Sequence, residues 1–189
     1  MIRFLSLAAA VAALSLPVAA FAQGPDPAFD SFQKICWGAG GDYLGAVKAA
    51  DADGWHDTQV IAPTENGVSI TDKAAREKAA GSETLTILVT RGLQHTKTGD
   101  FKVDTCKLSV NKSDAGLIGE GKTWLSGAAQ DNAADPNFSV YYVKLGGSAP
   151  SHIGPGGAQS AMDTGGGFGV LKFQSDSDGG ILVYQVYSK

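Results

Sequence analysis

Apolar residues recur along this chain at two different intervals, and each predicts a different element. Phe29, Phe32, Ile35 and Cys36 fall at spacings of three and four, which predicts a helix from about Pro27 to Trp37 with Cys36 on its inner face. The run Gly38-Ala39-Gly40-Gly41 breaks it, and Asp42 is a natural N-cap for a second helix over residues 43–52. That helix should turn Leu44, Val47 and Ala50 inward and close at Asp53-Gly54, just before Trp55 and His56. Residues 71–80, rich in Ala, Lys and Glu and followed by Gly81, predict a third short helix.

From residue 83 the interval shortens to two. Leu85, Ile87 and Val89 alternate with threonines, predicting a strand over residues 83–91. A second strand follows over residues 101–110. Its apolar phase changes from Phe101 and Val103 to Cys106, Leu108 and Val110, which predicts a bulge near Thr105. Residues 113–136 have weak periodicity and read as a crossover with one helical turn around Trp124. Strands follow over residues 138–145, 168–174 and 181–187, the last two joined by the hairpin stretch Ser175–Gly180. Both phases of these strands carry large apolar residues, so the sheet should be covered on more than one side. Gly146 to Gly167 holds eight glycines and two prolines and reads as a long irregular loop. The expected fold is a single α+β domain, with N-terminal helices packed on an antiparallel sheet of about five strands.

The first 22 residues change this picture by giving the chain an address. Arg3, the apolar stretch from Phe4 to Leu16 and the small-x-small site Ala20-Phe21-Ala22 have the form of a secretory signal peptide. The mature domain is then residues 23–189, with no membrane span after cleavage and a periplasmic or secreted location. Loss of Arg3 leaves 14 basic against 19 acidic residues, a formal charge of −5, which disfavours nucleic acid as a partner. Export permits a disulfide, and the chain's two cysteines, Cys36 and Cys106, are expected to form it.

Candidate chemistry is sparse. Gly116 to Thr123 satisfies the phosphate-loop pattern letter for letter, but Asn111-Lys112-Ser113-Asp114 precedes it where a buried strand is needed, and Gly127 soon follows it. No nucleotide cofactor is expected there. Asp51-Ala52-Asp53-Gly54 and Asp176-Ser177-Asp178-Gly179 mimic calcium loops but lack the glycine and glutamate that such a loop places at its sixth and twelfth positions. His56, His95 and His152 lie in separate loops without ligand spacing, so no metal site is expected. The one acid–base set that suggests itself is His152 with Asp163 and Ser151 or Ser160, the grouping a small periplasmic hydrolase would use. Trp37 and Trp55 flank the second helix. They read as residues that close a core, with an exposed binding platform as the alternative.

The set Phe32, Cys36, Gly41-Asp42, Ala49-Ala50-Asp51 and Gly54-Trp55 resembles the N-terminal segment of small exported proteins of Gram-negative bacteria. The resemblance covers about 25 residues and implies no activity, ligand or cofactor. The expected function is a non-catalytic periplasmic or secreted binding protein for a protein or small-molecule ligand, with Trp37, Trp55 and His152 as candidate contacts. The hydrolase based on His152 and Asp163 and a passive envelope-structural role are the alternatives.

Overall fold

A computed structural model describes residues 26–61, 67–97, 99–111, 116–132, 135–177 and 179–189. The expected signal peptide and the first three residues of the mature chain lie outside this set. Helix α1 (Pro27–Phe32) begins as its sequence demands: Pro27 occupies the first turn, and Asp26 Oδ1 accepts the Ala28 N–H at 2.7 Å. It continues through a wide π turn over Gln33–Trp37, whose looser winding lets three successive residues, Ile35, Cys36 and Trp37, all be buried. Helix α2 (Tyr43–Ala52) is capped by Asp42, whose Oδ2 accepts the Gly45 N–H at 2.8 Å. It buries Ala46 and Ala50, while Leu44, expected inside, is 54% exposed.

The sheet has eight strands, not five, all antiparallel, in the order β1-β2-β3-β4-β8-β7-β5-β6. They are β1 (His56–Asp57), β2 (Val68–Ala80), β3 (Glu83–Thr96), β4 (Gly99–Val110), β5 (Phe138–Lys144), β6 (Ser151–His152), β7 (Phe168–Asp176) and β8 (Gly179–Ser188). Helix α3 (Gly116–Trp124) precedes β5, and α4 (Gly154–Thr164) lies between β6 and β7, so the helices are not confined to the N-terminus.

Three expectations are corrected. Residues 71–80 belong to β2 and not to a helix: their helix-forming composition is a weak prior, and β3 offers a full edge that β2 pairs from Val68↔Gln94 to Ala80↔Glu83. The register on both sides of β4 runs without a break at Thr105, and the bulge falls instead on β2, between Ile70 and Asp72. The phase change in β4 reflects burial on both faces, since Phe101 and Val103 are as buried as Cys106 and Leu108. The segment 146–167 contains β6 and α4, and Gly165 closes α4 in the left-handed conformation (φ 73°).

The main core lies on one face. Val89, Cys106, Tyr184, Leu171 and Tyr141 form a continuous row across β3, β4, β8, β7 and β5, and Ile87, Leu108, Leu182 and Phe173 form the next. Helices α1, α2 and α3 cover these rows, with Phe29 and Phe32 each packed against both Phe173 and Trp124. The Cys36–Cys106 disulfide joins the π turn to the middle of β4, with the two Cα atoms 5.4 Å apart. The opposite face carries a smaller core in which α4 sets Ala158, Ala161 and Met162 against Phe168, Val170 and Tyr142.

Candidate functional site

His152 sits at the outer edge of the sheet, where β6 pairs with β5 through Val143↔His152. Beyond this two-residue strand the edge is finished by side chains. Asp131 donates its N–H to the Val140 carbonyl at 2.8 Å and accepts the Tyr142 N–H on its carboxylate at 2.7 Å. Asn132 completes the edge as a strand would: its Oδ1 accepts the Val140 N–H at 2.9 Å, and its Nδ2 donates to the Phe138 carbonyl at 3.2 Å. His152 Nε2 then lies 3.0 and 2.9 Å from the two Asp131 oxygens. Facing a carboxylate, Nε2 carries the proton, which leaves Nδ1 as the ring's free position in the neutral form.

This pairing replaces the expected one. Asp163 and Ser160 are on α4, which packs on the opposite face of the sheet, and Asp163 accepts a hydrogen bond from Gln159 at 2.8 Å. Ser151 precedes His152 in a strand and so points to the other side. The structure therefore does not bring His152, Asp163, Ser151 and Ser160 together. Asp131 was missed because it lies 21 residues from His152 in a stretch without periodicity, where no motif signals it.

Beside the His–Asp pair, the fully buried Tyr141 ring meets His152 edge-on at 6.2 Å. Burial raises the Tyr141 pKa, the neighbouring Ser139 hydroxyl opposes that shift, and the negative charge of Asp131 adds to it. The two hydroxyls are close enough to influence each other but do not meet hydrogen-bond geometry, and neither Tyr141 Oη nor Ser139 Oγ has another partner. Tyr141 is among the residues around an open depression of about 600 Å³, together with Lys122, Gln130, Asn132 and Asp135.

A second concavity, of about 500 Å³, lies where Gly146-Gly147-Ser148 faces the π turn. Trp37 and Trp124 form its aromatic wall, with their rings nearly perpendicular and 5.0 Å apart, and Gln33 supplies an amide. Gly40, Gly146 and Gly147 all have positive φ, so this wall stays free of Cβ atoms for a conformational reason. Among the described residues, its lining holds no ionisable side chain. Trp55 is elsewhere: it is buried at the end of α2, where its Nε1 donates to Asp53 Oδ2 at 3.1 Å. Trp37 and Trp55 thus form no joint platform, and the partner of Trp37 is Trp124.

The charged clusters hold elements together. Arg91 grips Asp104 with two nitrogens, at 2.9 and 3.2 Å, and reaches Asp42 at the start of α2 at 3.1 Å. Lys102 also pairs with Asp104, at 3.1 Å. Asp51 pairs with Arg76, and Asp53 with Lys34 and Lys78, which accounts for the first calcium-like stretch. Asp176 to Gly179 makes the β7–β8 turn, in which Asp178 lies outside the described residues. The phosphate-loop letters Gly116 to Thr123 are α3 itself, so there is no open loop to cradle a phosphate. Among the described residues no three His, Cys, Asp or Glu side chains gather as a metal site, and no helix is long and apolar enough to cross a membrane. Comparisons with protein-family models, curated proteins and solved structures each give no match to this chain.

Proposed function

We propose that the protein is an exported, non-catalytic binding module whose contact surface is the cleft between Trp37, Trp124 and Gly146–Ser148. The observation that carries this reading is the lining of that cleft: two indoles, one amide and bare glycine backbone, without charge. Such a surface offers stacking area and hydrogen bonds to an uncharged ligand with an apolar face, and it gives a charged one nothing to pair with. The Cys36–Cys106 bridge holds the Trp37 side of the cleft on the sheet and is compatible with an oxidising compartment outside the cytoplasm.

A hydrolase has less support. The His152–Asp131 pair has the form of a base and its orienting carboxylate, but Asp131 is also committed to the Tyr142 N–H, and the serines weighed as nucleophiles lie away from the ring.

Tryptophan emission of the mature protein, titrated with neutral oligosaccharides and with neutral peptides, tests the proposal. One series should give a saturable shift that Ser148→Trp, which fills the cleft, abolishes while leaving the melting temperature within a few degrees. No saturable response from either series, or a response untouched by Ser148→Trp, defeats it.

A further inference from the structure

We propose that the ligand of the cleft beside Trp124 is a neutral carbohydrate. The assignment rests on that cleft being the contact surface, and it names the class of molecule the surface takes.

Trp124 gives the first reason. It ends α3 half-buried, whereas Trp37 is almost fully buried. Three rings stand nearly perpendicular to the Trp124 indole: Phe29 at 5.7 Å, Phe32 at 6.3 Å and Trp37 at 5.0 Å. Packed in this way, the indole keeps its orientation before any ligand arrives, so stacking on it costs little ordering. The negative face of an indole attracts C–H groups, and a pyranose presents several of them on one side.

The polar groups give the second reason. Gly146, Gly147 and Ser148 are exposed, and among the described residues neither their backbone groups nor the Ser148 hydroxyl makes a hydrogen bond. The side-chain amide of Gln33 is open as well. Donors and acceptors are thus offered together around one aromatic ring. A sugar hydroxyl both donates and accepts, so a pyranose can answer these groups from its edge while its C–H side meets the indole.

Backbone geometry separates a sugar from a peptide. An extended peptide is held by a strand whose N–H and C=O groups repeat at regular intervals. Gly146 (φ 80°) and Gly147 (φ 101°) lie outside any strand in a conformation that breaks this repeat, and Gly40 (φ 63°) does the same in the turn after Trp37. Such segments make separate hydrogen bonds and not a ladder. Charge narrows the class further: without an ionisable side chain in its lining, among the described residues, the cleft gives a uronate or a sulfated sugar no counter-charge. The volume, about 500 Å³, is in the range of small-molecule sites.

Amide chemical-shift mapping and saturation-transfer difference spectra of the mature, oxidised protein test this. The sugar probes are maltotriose, cellotriose and triacetylchitotriose, and the peptide probes are N-acetylated, C-amidated Ala-Ala-Ala and Ala-Phe-Ala. At least one trisaccharide should saturate, moving the amides of residues 38–40 and 146–148 and receiving saturation on its C–H protons. Both peptides should bind at least about tenfold more weakly. Gln33→Leu keeps the bulk of the side chain and removes its amide, so it should weaken the sugar about tenfold and leave the melting temperature nearly unchanged. A peptide that saturates on the same amides as tightly as any sugar overturns the carbohydrate assignment and leaves the cleft standing as the contact surface. Silence from every probe overturns both. The assignment also fails if the bound sugar moves other amides instead, or if folded Gln33→Leu binds it like the parent.

Discussion

Asp53 shows how much one side chain organises here. Lys34 from the π turn and Lys78 from β2 both reach its carboxylate, and the Trp55 indole N–H donates to it, so a residue just past α2 ties three elements together. The two lysines, Lys34 first, hold its pKa down to about 2 from an ordinary 3.8. A carboxylate depressed in the folded state adds stability that is fully present above its unfolded pKa and is lost as pH falls through the folded value. Asp53 therefore contributes to acid unfolding between about pH 4 and pH 2. Both lysines are substantially exposed, at 63% and 38%, and solvent screens them, so the contribution is at most about 1 kcal/mol. Asp53→Asn should remove that much stability at pH 6 and almost none at pH 2, as urea titrations at the two values would show. Equal loss at both would mean that the role is steric. From the letters alone, Asp51-Ala52-Asp53-Gly54 yields a helix end and nothing more, because the two lysines are 19 and 25 residues away.

At the scale of elements, the edges of the sheet are what the chain manages most carefully. β5 would present a row of open backbone groups, and Asp131, Asn132 and the two residues of β6 close it with hydrogen bonds drawn largely from side chains. Asn132→Ala leaves the Val140 N–H and the Phe138 carbonyl without their partners, at a cost of about 1–3 kcal/mol. Hydrogen exchange should show the Val140 amide opening faster, with the Cys106 amide region of β4 unchanged near its own limit. Protection of Val140 at the parent level would refute this edge role. Long elements with a strong period were legible: α1 with its π turn, α2, β3, β4, β5, β7 and β8 stand where the apolar spacing puts them. The composition of β2 and α4 misleads, the first because Ala, Lys and Glu pair well with an available edge, the second because glycines fill a helix that α4's contacts with Phe168 and Val170 hold in place. The sequence reading paired His152 with Asp163, and nothing in the spacing signalled the contact with Asp131 that the structure gives it.

For the whole molecule, the order of strands sets the terms. β8 follows every other strand in sequence, yet it lies between β4 and β7 and joins the meander β2-β3-β4 to the β5–β7 pair, so the sheet is complete only when β8 is in place. The Cys36–Cys106 bridge closes a separation of 70 residues and fixes the helical layer to the meander independently of β8. By restricting the unfolded chain, a loop of this length is worth about 4 kcal/mol. The double variant Cys36→Ala, Cys106→Ala should lose about that much in urea unfolding at pH 7, and reductant should lower the parent's melting temperature but not the variant's. A parent indifferent to reductant would show that the bridge contributes nothing to stability.

The apolar periods by themselves determined the helical start of the chain, most of the strands and the two-sided burial of the sheet, since these follow from spacing along a local backbone. With only two cysteines in the sequence, a single intramolecular bridge was the one pairing open to them, and Cys36 and Cys106 form it. Only the tertiary structure decided that there are eight strands, that β8 is central, and that His152 faces Asp131 instead of Asp163. It alone brought Trp37 to Trp124, and Tyr141 to His152. The reason is physical: register and face are set by pairing between strands far apart in sequence, and a polar side chain's role depends on which distant groups that pairing places beside it.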